Sequence, residues 1–222
     1  EKVKLAQRNW IGKKEGIKIK YRVLDSAKAS LEQYFDDAQH KYSSSEVEKG
    51  ELIEVFTTRP DTNFGATFIA LALEHPLVMK LTTPENKNKV SKYIEKTKNK
   101  TEQERIEEGR EKTGQFTGAY AINNLTGEKM PIWVSDFVLM GVGTGALVGV
   151  PGHDKRDFQF AQKFGLPIKR VVVGKDGDTS KITSIDQVQE EEGTMINSDF
   201  LNGLEIHEAI KVIMDHIVSS VF

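Results

Sequence analysis

The sequence predicts an α+β fold in which many short strands are covered by peripheral helices. Three observations support this prediction. Alternating or compact apolar runs rich in β-forming residues recur along the chain. Two long charged segments carry only a sparse apolar stripe, which is typical of surface helices. The chain closes on an amphipathic segment at residues 205–218.

Composition and charge limit the classes of protein to which the chain can belong. Of its 222 residues, 38% are hydrophobic and 29% charged, which suits one large globular domain with a real core. The formal net charge of -2 excludes a polycationic nucleic-acid binder, although RNA contact through a local groove stays open. The absence of cysteine excludes disulfides, thiolate metal sites and a cysteine nucleophile.

Several features bear on where the protein works. The chain begins with Glu1 and not Met, so we expect a fragment of a longer protein. Its first residues do not have the pattern of a signal peptide. The one long uncharged run, between Asp136 and Asp154, is shorter than the roughly 20 apolar residues of a membrane span and contains several glycines. We expect a cytoplasmic protein with no membrane partner.

The first half of the chain predicts three strands. Apolar residues alternate with charged ones over residues 17–23, which indicates a half-buried strand. Residues 52–57 and 67–73 are compact apolar runs that predict buried strands. The segment between them is polar and carries both Pro and Gly. Because loops held by a rigid sheet often carry function, this segment is the first candidate site.

The other elements follow from periodicity and from helix stop signals. Residues 25–50 form a polar insertion in which Leu31, Tyr34 and Phe35 fit one short helix. Further predicted helices cover residues 84–98, 101–112, 154–165 and 205–218, and further predicted strands cover residues 115–122, 130–140, 144–150 and 168–173.

A glycine-rich stretch at residues 141–146 fits the dinucleotide-binding fingerprint in its G-x-G-x-x-A form. That fingerprint requires a helix next, because the helix N-terminus holds the pyrophosphate. Here residues 147–150 continue as a strand and Pro151 follows, so a nucleotide cofactor is not expected. The bare main chain is better suited to close approach by a ligand.

The start of the helix at residues 153–157 has a structural and a functional interpretation. Asp154 can serve as the N-cap and Asp157 as the acidic residue of the first turn, with no further role. A metal site at His153, Asp154 and Asp157 lacks a further ligand at suitable spacing, so no metal is expected. Nor do Thr57 and Thr58 have a histidine in sequence reach that would activate a nucleophile.

Taken together, these segments carry a specific resemblance. TTRPDT at residues 57–62, FGAT at 64–67, GTGA at 143–146 and VPGHDKRDF at 150–158 resemble the inserted editing domain (connective polypeptide 1) of bacterial-type leucyl-tRNA synthetases. The resemblance covers nearly the whole chain except the insertion at 25–50, and it implies a β-barrel-like core. It also implies three parts: a linker arm at 1–15, the editing domain at 16–204, and a closing helix and exit arm at 205–222.

The family implies hydrolysis of the ester bond of mischarged aminoacyl-tRNA(Leu), with leucine excluded. The Asp157 counterpart binds the α-ammonium group of the attached amino acid by a charge-assisted hydrogen bond. The Thr62 counterpart blocks the leucine side chain by its bulk. The Thr57 and Thr58 counterparts line the site near the ester and the attacking water, so with Asp157 they are the expected catalytic residues.

The remaining implied contacts are to the substrate. They involve Arg59, Thr62, Leu139, Val142, Val148, Val150, His153 and Asp154. Aminoacyl esters are already activated, so the family needs no cofactor, metal or covalent intermediate. The implied partners are the acceptor end of tRNA(Leu) and the rest of the synthetase chain, in a protein expected to be monomeric.

Departures from the family pattern concern the expected pocket. Val142 stands where bacterial members usually carry Tyr, and Val148-Gly149 where they usually have Met-Ala. Both changes remove side-chain bulk, so our hypothesis is a wider amino-acid pocket or a looser hold on the adenosine. Asn63 replaces a residue that is usually apolar.

Two alternatives to an active leucyl editing site stay open. The chain could bind the tRNA end without hydrolysing the ester, because its pocket is altered. It could also be a valyl- or isoleucyl-type editor. The valyl form usually has Glu in place of Asp61 and lacks the Arg156-Asp157 pair, so the leucyl family is the better match.

Overall fold

The computed structural model describes residues 16–24, 50–107, 109–190 and 192–219. The predicted linker arm at 1–15, most of the insertion at 25–50 with its short helix, and the last residues of the exit arm lie outside these ranges.

A six-stranded mixed sheet forms the centre of the structure, in the order β2-β1-β4-β5-β3-β6. Its strands are β1 (Ile17–Val23), β2 (Leu52–Thr57), β3 (Phe68–Leu71), β4 (Gly114–Ile122), β5 (Lys129–Ser135) and β6 (Ala146–Gly149). The β3–β5 pair is parallel and the other neighbouring strands are antiparallel.

The alternation seen in the sequence explains how β1 sits in the sheet. Ile19, Tyr21 and Val23 are buried, whereas Lys18 and Lys20 between them are exposed. Because successive side chains of a strand point to opposite faces, the apolar set lies in the core and the lysines face solvent.

The sheet curls without closing. Its edge strands β2 and β6 approach each other, but in the described ranges they are not paired by hydrogen bonds. The α+β class and the peripheral helices predicted from the sequence are therefore confirmed, and the core is an open, curled sheet instead of a closed barrel.

In the described part of the chain, five α-helices surround the sheet. They are α1 (Leu77–Leu81), α2 (Lys87–Thr97), α3 (Glu102–Ile106), α4 (Lys155–Phe164) and α5 (Ile206–Ser219). Helix α3 begins with a capping box between Thr101 and Glu104, but it ends at Ile106 where residue 112 was predicted. Within the described residues, no helix is both long enough and apolar enough to cross a membrane.

Four predicted strands are shorter in the structure, and those at residues 67–73 and 144–150 are reduced to β3 and β6. Strand β5 ends at Ser135, because the next residue, Asp136, is buried in a turn and binds Lys100, Arg110 and Thr113 instead of a neighbouring strand. Of the strand predicted at residues 168–173, only β7 (Val172–Val173) forms. It pairs with β8 (Thr194–Met195), a strand that the sequence analysis missed, in a separate two-stranded sheet.

A second apolar cluster joins α5 to the polar loop between β2 and β3. Ile206, Ala209 and Ile213 of α5 are buried with Phe64 of that loop and with Val171. The predicted closing helix thus packs directly behind the segment that carries the candidate site.

Candidate functional site

The segment between β2 and β3 is folded around Arg59. After β2 ends at Thr57, residues Pro60–Gly65 form a 3₁₀ helix with proline at its first position. The Thr57 hydroxyl oxygen accepts a hydrogen bond from the Arg59 amide at 3.0 Å. The Thr62 hydroxyl donates to the Arg59 carbonyl oxygen, also at 3.0 Å. These two hydrogen bonds fix the orientation of the Thr57 and Thr62 side chains.

The three threonines differ in their access to solvent. Thr58 is exposed, Thr57 is half-buried and Thr62 is 3% exposed. Thr57 and Thr58 are therefore open to a ligand, while Thr62 forms part of a packed wall. The roles that the resemblance implies for the three threonines stay predictions.

The Arg59 guanidinium is held by the chain itself. Its Nε and Nη2 donate to the Asp61 carboxylate at 3.0 and 2.8 Å, and Asp61 is fully buried. Its Nη1 also donates to the Glu190 carbonyl oxygen at 3.3 Å. This bidentate ion pair fixes the orientation of the Arg59 guanidinium plane. A substrate contact by Arg59 remains a prediction, and it would have to use the remaining donors.

Asp154 forms the N-cap of α4, as predicted from the sequence. Its Oδ1 accepts hydrogen bonds from the amides of Arg156 and Asp157 at 2.8 and 3.1 Å. Burial opposes ionisation of this carboxyl, but the hydrogen bond and charge of Arg156 outweigh it and lower the Asp154 pKa. Asp154 is therefore an ionised structural cap, and its predicted substrate contact is untested.

Asp157 lies in the first turn of α4 and is 6% exposed. Its Oδ2 accepts a hydrogen bond from the Val150 amide at 2.8 Å. Burial, together with the nearby negative charge of Asp154, raises the Asp157 pKa well above its ordinary value. A buried carboxylate that is costly to ionise is stabilised by a cation such as an ammonium group.

His153 is committed to structural contacts at both ring nitrogens. Nδ1 lies 2.8 Å from the Gln189 carbonyl oxygen, and Nε2 accepts from the amides of Val171 and Val172 at 2.9 and 3.2 Å. Since Nε2 must be unprotonated to accept, Nδ1 carries the proton. Burial lowers the His153 pKa to about 4. The predicted contact of His153 with substrate stays a prediction, and it would have to use the ring carbons.

The two motifs meet at the end of β6. The Thr67 amide donates to the Gly149 carbonyl oxygen at 3.0 Å, and the next residue, Val150, binds Asp157. Gly65 packs closely here, because a Cβ atom on it would lie 3.4 Å from the Val150 side chain. Thr67 and Gly149 are 82 residues apart in the sequence. The two motifs are therefore joined at the end of β6, where Gly149 bonds to Thr67 and Val150 bonds to Asp157.

Glu190 makes a second connection between the motifs. Its carbonyl oxygen accepts from Arg59, and its carboxylate accepts from the Lys155 amide at 3.0 Å. The sequence analysis missed this residue, because nothing near it in the chain distinguishes it from other surface glutamates.

The glycine-rich stretch before β6 forms an exposed turn. Val142 is 66% exposed, Leu139 is half-buried, and the Val142 amide donates to the Leu139 carbonyl oxygen at 3.2 Å. Gly143 has a φ of 62°, in the left-handed region that favours glycine. The sequence analysis expected this stretch to continue as a strand and not as a helix, and it continues into β6. Val148 of β6 is half-buried and pairs with Ile69.

We also searched the described residues for a cavity or a metal site that could serve as an alternative functional site. A cavity of about 640 Å³ is lined by Phe64, Lys169 and Arg170 among others, and neither Thr57 nor Asp157 is among its lining residues. Its cationic side chains are already paired, Lys169 with Glu128 and Arg170 with Asp178. Among the described residues, no group of three or more His, Asp or Glu side chains is arranged to hold a metal ion.

Comparison with known families decides what the converging motifs belong to. The family model for the editing domain of leucyl-tRNA synthetase matches residues 8–218. The chain belongs to the family of leucyl-tRNA synthetase editing domains. This confirms the family inferred from the motifs at residues 57–67 and 143–158, and the open, curled sheet is this chain's version of the editing-domain fold.

A solved structure supports the same assignment. The AgnB2 LeuRS of Agrobacterium radiobacter K84, crystallised in a ternary complex with tRNA and LeuAMS, is 28% identical in sequence and superposes with a TM-score of 0.64. The match covers 99% of this chain and 21% of that one. The chain therefore spans about a fifth of the length of this synthetase.

Proposed function

We propose that this editing domain hydrolyses the ester bond of tRNA(Leu) charged with the wrong amino acid. We call residues 57–67, between β2 and β3, the threonine segment. The observation that carries the proposal is the junction of Asp157, Val150, Gly149 and Thr67, which brings a buried carboxylate to the end of this segment. Isoleucyl and norvalyl esters are the proposed substrates. A second site of this kind is needed because a synthetase pocket discriminates one methylene by only about 1–3 kcal/mol.

The proposed chemistry needs little from the protein. An aminoacyl ester is activated, so a positioned water, hydrogen bonds to the developing oxyanion and the free vicinal hydroxyl of the ribose are sufficient. This agrees with the hydroxyls of Thr57 and Thr58, which are accessible but have no general base beside them on the sequence. The reaction forms no covalent intermediate.

Selection of the substrate is assigned to two residues. Asp157 holds the α-ammonium group, and that positive charge favours ionisation of a carboxyl whose pKa burial has raised. Thr62, packed in the wall of the threonine segment, excludes leucine by its bulk. The exposed turn at 139–145 and Val150 receive the terminal adenosine and the ester.

The proposed partner is the acceptor end of tRNA(Leu), in the cytoplasm. A chain with a net charge of -2 has no excess of cationic side chains to neutralise tRNA phosphates. We therefore expect the isolated, monomeric chain to bind tRNA weakly. The rest of a synthetase chain would supply the remaining contacts, joined through an arm at 1–15 and an exit at 205–222.

The test measures hydrolysis of isoleucyl- and leucyl-tRNA(Leu) by the wild type and by Asp157→Asn. This variant keeps the shape of the side chain and an oxygen for the Val150 amide, but it loses the charge. Asp186→Asn, on an exposed residue, is the matched control. We expect the wild type and the control to hydrolyse only the isoleucyl ester, and Asp157→Asn to lose about 10- to 100-fold, as for a charge-assisted hydrogen bond.

Other outcomes would contradict the proposal in distinguishable ways. Full activity of Asp157→Asn would show that the ammonium group is held elsewhere. Preference for threonyl or valyl esters would indicate a valyl- or isoleucyl-type editor. Binding of charged tRNA without hydrolysis at high protein concentration would favour a module that only binds the tRNA end.

A further inference from the structure

A buried polar network lies directly beside Thr62. The Tyr21 hydroxyl donates to Asn63 Oδ1 at 2.5 Å, and Asn123 Nδ2 donates to the Asn63 carbonyl oxygen at 2.8 Å. Tyr21 and Asn123 are fully buried and Asn63 is 2% exposed. The three residues come from β1, the 3₁₀ helix and the turn after β4, so the network ties the threonine segment to two places on the sheet.

The bonds to Asn63 fix the main chain of the segment as well as a side chain. The Asn63 carbonyl oxygen accepts from the Ala66 amide, which closes the 3₁₀ helix, and from Asn123. Asn123 is itself held by the turn, since its Oδ1 accepts from the Leu125 amide at 3.0 Å. Thr62 is the covalent neighbour of a residue whose position is therefore set by two distant strands.

We propose that Tyr21 is a positioning residue for leucine exclusion, acting through Asn63 on Thr62. The inference rests on the proposed function, and it names a determinant of specificity outside the residues assigned there. Steric exclusion depends on where a side chain stands to within a fraction of an ångström, because core contacts are close-packed. Asn123 holds the backbone next to Thr62 directly, and Tyr21 holds it through the Asn63 side chain.

The burial of Tyr21, Asn63 and Asn123 makes this dependence strong. A buried polar atom that loses its partner pays its desolvation cost, so the chain shifts to find another partner or admits water. In Tyr21→Phe, Asn63 Oδ1 would be left unpaired in the core, and a shift of the 3₁₀ helix is the local way to relieve this. Removing both polar groups at once leaves nothing to satisfy.

The experiment compares hydrolysis of leucyl- and isoleucyl-tRNA(Leu) by the 222-residue chain and its variants. In Tyr21→Phe we expect isoleucyl hydrolysis to stay near the wild-type rate and leucyl hydrolysis to rise about tenfold, which corresponds to about 1.4 kcal/mol. The double variant Tyr21→Phe with Asn63→Leu should restore leucine exclusion. Hydrogen exchange of the Thr62 amide should be faster in the single variant and slow again in the double variant.

Tyr93→Phe is the matched control. Tyr93 belongs to α2, and its hydroxyl shares a hydrogen bond with the Thr113 hydroxyl at 2.8 Å and accepts one from the Asp136 amide at 3.1 Å, so neither partner belongs to the threonine segment. Its loss should lower stability without changing the ratio of leucyl to isoleucyl hydrolysis. This separates a specific effect on Thr62 from a general loss of stability.

Each outcome decides between the inference and the function on which it rests. If the wild type hydrolyses the isoleucyl ester and Tyr21→Phe still excludes leucine, the inference is wrong while the proposed function stands. An equal shift of the ratio in Tyr93→Phe would also overturn it, because the effect would then be general. If the wild type hydrolyses neither ester, the proposed function fails and leucine exclusion fails with it.

Discussion

The Asp157 carboxylate accepts the Val150 amide at 2.8 Å where β6 leads into α4. Val150 occupies one oxygen, and no other hydrogen bond to this carboxylate forms within the described part of the chain. An ionised carboxylate has about four acceptor positions. The unused acceptor positions of this buried carboxyl are the basis for the proposal that Asp157 binds the α-ammonium group.

That arrangement predicts a trade between stability and function at Asp157. Because its pKa in the folded state is raised, the carboxyl is protonated more readily there than in the unfolded chain. Its ionisation therefore costs stability as the pH rises through the folded-state pKa, and the cost is absent below the ordinary value of about 4. We expect Asp157→Asn to melt at a higher temperature than the wild type at pH 8, with the gap closing towards pH 4.

Thermal unfolding followed by circular dichroism across this pH range checks the prediction. Asp186→Asn, on an exposed residue, is the matched control. A lower melting temperature for Asp157→Asn at pH 8 would show that the charge at 157 stabilises the empty site.

The bulk of Thr62 predicts a second result. Thr62→Ala removes the methyl group, so leucine should enter and leucyl-tRNA(Leu) hydrolysis should rise by at least about tenfold. Thr62→Val keeps the bulk and loses only the hydroxyl bond to the Arg59 carbonyl. It should still exclude leucine, as initial rates on the two esters will show. Leucyl hydrolysis by Thr62→Val at the rate of Thr62→Ala would mean that the hydroxyl bond, not bulk, provides the exclusion.

His153 predicts an opposite dependence on pH. Its folded-state pKa of about 4 lies below the ordinary value of about 6.5, so stability is present above pH 6.5 and is lost as the pH falls towards 4. The full loss is roughly 3 kcal/mol. In His153→Gln the loss over this range should be smaller, although the variant should be less stable at pH 8 because a flexible Gln side chain holds the contacts to Gln189, Val171 and Val172 less firmly than the ring does.

Urea unfolding at pH 8, 6 and 4.5 measures this difference. If the wild type and His153→Gln lose stability in parallel, His153 does not cause the acid sensitivity.

The features that could be predicted from the sequence are those decided by neighbouring residues. Alternation predicted β1 with Tyr21 inside, and the spacing of Asp154 and Asp157 predicted the start of α4. The bonds to Asn63 could not be predicted, because its partners Tyr21 and Asn123 lie 42 and 60 residues away in the chain. The signal available in the sequence was that Asn63 is polar at a position that is usually apolar in the family. Strand β8 has two residues and leaves no period to detect.

Our hypothesis of a wider amino-acid pocket at Val148 predicts a change in substrate range. Val148→Met should narrow the pocket and slow hydrolysis of the β-branched isoleucyl ester relative to the unbranched norvalyl ester by roughly tenfold. Leu147→Met is the control, since Leu147 packs with Phe68 and Phe160 in a different cluster from Val148. Unchanged discrimination in Val148→Met would remove the hypothesis of a widened pocket.

Thr67, which joins the two motifs through its amide, carries a buried hydroxyl without a partner in the described structure. A buried polar atom that makes no hydrogen bond costs stability. Thr67→Val replaces that hydroxyl by a methyl group of similar size, so we expect it to stabilise the fold by about 1 kcal/mol in urea unfolding. Thr67→Ser keeps the hydroxyl and loses the methyl group, so it should be less stable than the wild type. Destabilisation by Thr67→Val would instead show that the hydroxyl is satisfied in solution, with an ordered water as its partner.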